Sequence, residues 1–211
     1  SWIESHLEVG EDTRGLLLNN ERRNRRVVIP EGLFLSLCYP SGAAEEEEED
    51  AVFRVGVLVT PGRILTVRRG RIPSVESLFE AVQNQTESLD SVWEVLTELV
   101  ERIAICIELV LDHAAEGIDA LEDRVFEDAA HPPIDEVGQL RRQLILDRRH
   151  ITSMKRVVEE SIDDRRFCPD VKEAQELRTA AEAVMRQERT VEFFLERANL
   201  IQDQIQSLLS D

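Results

Sequence analysis

The sequence predicts an α+β fold: a small mixed β-sheet with flanking helices at the N-terminus, then long antiparallel helices, arranged as a helical hairpin and a long C-terminal stalk helix. Three observations predict it. β-branched and aromatic runs crowd into the first third, apolar residues recur at helical spacing after Ser74, and His131-Pro132-Pro133 and Phe167-Cys168-Pro169-Asp170 break the long helical stretch. The expected division is an α/β part over 1–86 and a long-helix part over 87–211, the latter made of a hairpin over 87–166 and a stalk over 170–211.

The strands are read from VVI (27–29), LFLSLCY (33–39), VFRVGVLV (52–59) and ILTVR (64–68), separated by Pro, Gly or charge. Pro61 and Gly62 suit the two central positions of a type II turn, which joins the last two strands as a hairpin. The acidic run Glu45–Asp50 repels itself and is expected to be a mobile loop between two strands.

Ser74 is a plausible N-cap for the helix VESLFEAVQN, and a longer helix follows from about Ser88 through Ala129. Pro133 suits the first turn of the next helix, which runs to about Arg166. The last helix, from near Asp170 to the end, is about 60 Å long at a rise of about 1.5 Å per residue. Helices of such length must pack largely on each other.

Their spacing agrees. Ile107, Leu111, Ala114, Ile118, Leu121 and Val125 follow the alternating four-and-three rhythm of a coiled-coil seam, as do Leu140, Leu144, Asp147, Ile151, Met154 and Val158. If the Pro-rich turn between them closes an antiparallel hairpin, residues whose numbers sum to about 263 lie opposite: Arg141 faces Glu122 and Lys155 faces Glu108. That pairing explains three basic doublets, Arg141-Arg142, Arg148-Arg149 and Lys155-Arg156, in an otherwise acidic chain. Asp147 is the odd member of its seam, either fixing register or marking a place where the seam is open. In the last helix Leu177, Ala181, Val184, Val191, Leu195 and Ala198 keep the rhythm apart from Glu188, and Ile201, Ile205 and Leu208 shift it.

Charge and composition bound the function. With 42% apolar residues in 211, the chain has enough for a real core. A net charge of −18 repels polyanions, which excludes nucleic acid or anionic lipid as main partner and makes cations the natural counter-charge. Three cysteines without close spacing (Cys38, Cys106, Cys168) fit free thiols in a reducing compartment. The longest apolar runs, such as Ile103–Ile107, are far short of the roughly 18 residues of a membrane helix. The start at Ser1 and a helix running to Asp211 suggest a fragment.

No GxxxxGK[ST], GxSxG, HExxH or CxxC occurs, and none of His6, His113, His131 and His150 has a second ligand at zinc spacing, so the expectation is no enzyme and no firm cofactor. Acidic residues are the remaining chemistry. One group clusters at the hairpin tip: Asp119, Glu122, Asp123, Glu127, Asp128, Asp135 and Glu136, against Arg124 alone. Another, Glu182, Glu188, Glu192, Glu196 and Asp203, runs along the last helix, where facing carboxylates of neighbouring subunits would repel until a hard divalent cation bridged them.

The strand ILTVR, the helix with ALEDRVFED, the helix LRRQLILDRRHITSMKRVV and the final NLIQDQIQSLLSD together resemble the cytoplasmic domain of the CorA family of divalent-cation transporters, nearest its ZntB-like zinc branch. The likeness covers about Arg14 to Asp211 and rests on element order and the LRRxLxxxRR pattern. It implies a homopentamer on the cytoplasmic face of the cell membrane, whose last helix continues into a pore-lining membrane segment. It also implies Mg2+ or Zn2+ as cargo, and cation binding at acidic subunit interfaces that couples to the pore. Asp203 leads the metal candidates, with Glu188 and Glu196 beside it. Periodicity taken alone fits equally a coiled-coil scaffold whose α/β head binds a partner.

Overall fold

The computed structural model describes residues 10–19, 21–42, 52–84, 88–127, 131–164 and 170–210. The acidic run, the Phe167–Pro169 break, His6, Asp128 and Cys168 lie outside them. The described elements are α1 (Glu11–Leu18), β1 (Arg25–Ile29), β2 (Gly32–Pro40), β3 (Val52–Thr60), β4 (Arg63–Arg68), α2 (Pro73–Gln83), α3 (Val92–Glu127), α4 (Ile134–Ile162) and α5 (Val171–Ser210).

The four strands pair in sequence order, antiparallel throughout. The sheet is therefore not mixed, as the sequence reading had it. Among the described residues no helix lies between any two of these strands, and a parallel pair needs such a crossover. At the β3–β4 turn Gly62 takes a φ of 74°, as the second central position of a type II turn requires.

Both sheet faces are covered, which is why β2 reads as a nearly continuous apolar run. Leu33, Leu35, Leu37 and Tyr39 of β2, with Val55, Val57 and Val59 of β3, join the main core under the long helices. Phe34 and Leu58 point to the other face and pack with Ile29 and with Leu17 of α1. The sequence gives little sign of α1, whose eight residues include Gly15 and make barely two turns. Its ends are held from the sheet: Glu31 accepts N–H of Gly10 (2.9 Å) and the Thr13 hydroxyl (3.0 Å), while Arg54 donates to Leu16 O (3.3 Å).

Helix starts follow side-chain chemistry. Ser91 Oγ accepts the Glu94 N–H (3.1 Å), and Asp170 and Glu173 cap each other's backbone N–H groups, a capping box. Ser74 does not cap α2. Pro73 already occupies the first turn, and the Ser74 hydroxyl meets the buried Tyr39 hydroxyl at 2.6 Å.

The seams of α3 and α4 face the core as spaced, with Ala114 and Leu140 half-buried and the rest buried, but they do not zip against each other. α5 packs along both, and α3 and α4 touch only slightly. This replaces the expected facing pairs: Arg141 bonds Gln202 and Lys155 Nζ lies 3.7 Å from Glu188, both on α5, an antiparallel register. Glu122 instead meets Arg197 of α5. A helix between two partners needs a wide apolar face, and α5 has one. Leu177, Ala180, Ala181, Val184, Val191, Phe194, Ala198, Ile201 and Ile205 are all buried, so the rhythm persists through Phe194 and Ile201 where the sequence suggested a shift. Leu208, assigned to that shifted seam, is exposed.

Candidate cation-binding face

The three carboxylates singled out on α5 occupy different surroundings. Glu188 is half-buried and engaged, accepting the Thr152 hydroxyl at 2.5 Å and lying beside the Lys155 ammonium. Glu196 and Asp203 are exposed, seven residues apart and so two turns along nearly the same side of α5. The fold thus groups Glu196 with Asp203 and separates both from Glu188.

Around those two acids runs a second three-and-four rhythm, on the side of α5 that neither α3 nor α4 covers: Phe193, Glu196, Leu200, Asp203 and Ser207. Phe193 is 56% exposed and Leu200 65%. Phe193 and Leu200 at one heptad position, continued by Ser207, alternate with the carboxylates Glu196 and Asp203 at the other, and exposed apolar residues at heptad spacing suit contact with further helices. Periodicity pointed to the buried face first. The outer stripe emerges only when that face is assigned, because Phe193, Phe194 and Leu195 are consecutive apolar residues and spacing alone does not say which of them the core takes.

The hairpin tip is less negative than its own two helices suggest. Arg197 of α5 reaches across, its Nε donating to Glu122 Oε1 (3.0 Å) and its Nη2 to Glu122 Oε2 (2.6 Å) and Asp119 Oδ1 (2.7 Å). The hydrogen bonds to Glu122, then those to Asp119, push the guanidinium pKa further up. Arg124 pairs through two bonds with Glu136, which holds that carboxyl below its ordinary range. A cation bound at the tip would compete with two guanidinium groups.

Within the one chain, no three His, Cys, Asp or Glu side chains among the described residues group as metal ligands. Glu196 and Asp203, two turns apart on one helix, are too few and too far apart to hold one hard cation within a single chain. Cys38 and Cys106 are free, and burial pushes both thiols up, away from reactivity. An open cleft of about 400 Å³ lies between the start of α4 and the end of α5, lined by Arg141, Arg142, Gln202, Ile205 and Leu209, with no lining residue from the α/β head. No helix among the described residues is long and apolar enough to cross a membrane.

Comparison with known proteins agrees with this architecture. The family model described as CorA-like Mg2+ transporter protein matches residues 1–211. The zinc transport protein ZntB of Pectobacterium atrosepticum is 24% identical over 163 residues, covering 74% of this chain and 47% of that protein. ZntB of Pectobacterium carotovorum is 21% identical over 211 residues, the whole of this chain and 63% of that protein. The chain thus spans from about half to just under two thirds of these curated relatives.

Among solved structures, the cytoplasmic domain of ZntB from Vibrio parahaemolyticus superposes with a TM-score of 0.80 at 20% identity, over 98% of this chain and 81% of that one. The complete CorA magnesium transporter from Methanocaldococcus jannaschii gives 0.84 at 12% identity, over 99% and 65%. The chain therefore belongs to the CorA-like Mg2+ transporter family and has the fold of the ZntB cytoplasmic domain.

Proposed function

We propose that this chain is the cation-responsive cytoplasmic part of a divalent-cation transporter, working as a ring of identical subunits, five in number as in the family it resembles. Its cargo is Mg2+ or Zn2+, and it performs no covalent chemistry. The observation that carries this reading is the outer stripe of α5, where Phe193 and Leu200 are exposed in register with Glu196 and Asp203.

Such a stripe has two opposing tendencies. Its apolar positions favour association with like helices, while its carboxylates repel their counterparts. A divalent cation between facing carboxylates removes the repulsion and shifts the ring towards its close-packed arrangement. Occupancy of the interface then reports cytosolic cation to the helix that leads to the membrane. Asp203 and Glu196 carry this role; Glu188, held by Lys155 and Thr152, positions α4 on α5 instead.

The test is cross-linking through a single cysteine placed at Leu200, in a chain whose native cysteines are replaced by serine. The reading expects subunit-to-subunit disulfides at Leu200→Cys that strengthen when Mg2+ or Zn2+ is present. No cross-link at this position, with efficient cross-linking at a control position on the outer side of the sheet, would overturn it.

A further inference from the structure

Asp147 is the one acidic residue inside the buried row Leu144, Ile151, Met154 and Val158 of α4, and it is only 2% exposed. Its hydrogen bond comes from Gln143 Nε2 (2.8 Å), a neutral donor one turn back on the same helix. Among the described residues Asp147 has no ion pair.

The charged groups around it are occupied or turned outward. On α5 the register set by Arg141–Gln202 and Lys155–Glu188 brings Glu196 to the level of Asp147, but Glu196 is exposed. Arg197 of α5 is taken by Asp119 and Glu122 of α3, the acids that α3 presents at this level. On the sheet, Arg26 of β1 pairs with Asp164 and Cys38 of β2 is a neutral thiol. On α4 itself Arg148 and Arg149 are exposed, and His150 turns its backbone carbonyl to Asn24. A carboxylate placed so keeps little of its hydration and gains no cation in return.

We propose that Asp147 makes the packing of α4 on α5 proton-dependent: protonated, its carboxyl seats in the seam, and ionised, it loosens the turns of α4 that carry it. The device converts cytosolic pH into the tightness with which α5 is held, whatever the outer stripe of α5 binds. Burial, only partly offset by the Gln143 bond, raises the carboxyl pKa from 3.8 to about 6, within reach of cellular pH. The sign follows. The folded-state value lies above the unfolded one, so the folded chain holds the extra proton between them, and stability falls as pH rises through that window.

The test compares the 211-residue chain with its Asp147→Asn variant by urea unfolding from pH 5 to pH 8, which cancels every other titrating group. The folding equilibrium constant of the wild type should fall roughly tenfold relative to the variant across that range, leaving the variant the more stable at pH 8. Amide protection over residues 143–151 should fall in parallel in the wild type alone. Should the variant fail to fold, the 13Cγ resonance of Asp147 in the wild type decides, with a titration midpoint above the ordinary carboxylate range expected. Parallel stability and protection profiles, or a midpoint in the ordinary range, would overturn the proposal.

Discussion

Arg197 of α5 grips both carboxylate oxygens of Glu122 on α3, at 3.0 and 2.6 Å, and reaches Asp119 with the same guanidinium. One cation thereby ties the stalk to the tip of its longest neighbour. Replacing it with Ala leaves two acids one turn apart with no counter-charge. Arg197→Ala should lower stability by about 1 kcal/mol at low salt, and by less as salt screens the remaining repulsion. Urea unfolding at two ionic strengths measures both.

Gly32, at the start of β2, has no room for a side chain. A Cβ there would lie 2.1 Å from the carbonyl oxygen of Val59 on β3, which is backbone and cannot turn aside. Gly32→Ala should cost about 2–4 kcal/mol by forcing β2 and β3 apart. Thermal unfolding checks it, with Gly62→Ala as a comparison at a turn where strain comes from the φ of 74° and not from contact.

Asn24 joins the sheet to α4. Its side chain accepts the Cys38 N–H (2.7 Å) and donates to Cys38 O (2.8 Å), Ser153 Oγ (2.9 Å) and His150 O (3.1 Å). Asn24→Ala should cost about 1–3 kcal/mol by leaving backbone groups of a buried strand without partners. Amide exchange should speed up at Cys38 before it does elsewhere in β2.

Glu31 is held below the ordinary carboxylate range, first by the Gly10 N–H it accepts. Its folded-state value lies under the unfolded one. Its contribution is therefore complete above the ordinary range and disappears as pH falls through the depressed value. Glu31→Gln should expose the amides of α1 to exchange at neutral pH while leaving those of α3 and α5 unchanged.

The strands, the Pro-Gly turn and the two heptad seams were legible because each depends on local pattern: β-branched runs, a residue that tolerates positive φ, and apolar spacing. Helix partnership was not. A heptad shows that a face is buried without naming what buries it, so Arg141 and Lys155 were matched to α3 although their partners, Gln202 and Glu188, lie some 60 and 30 residues away on α5. The short α1 depends on caps from Glu31 and Arg54, which no local window contains. For the candidate face, sequence picked out the acids of α5 but could not separate Glu188, claimed by Lys155, from Glu196 and Asp203, which stay exposed.

The central claim is that divalent cation joins copies of this chain through the outer stripe of α5. Sedimentation velocity tests it most directly, comparing the wild type and Asp203→Ala in millimolar Mg2+, in micromolar Zn2+ and in chelator. The account predicts cation-dependent growth of the sedimenting species in the wild type and its loss in the variant. Identical sedimentation in all three conditions, or growth that survives Asp203→Ala combined with Glu196→Gln, would contradict it.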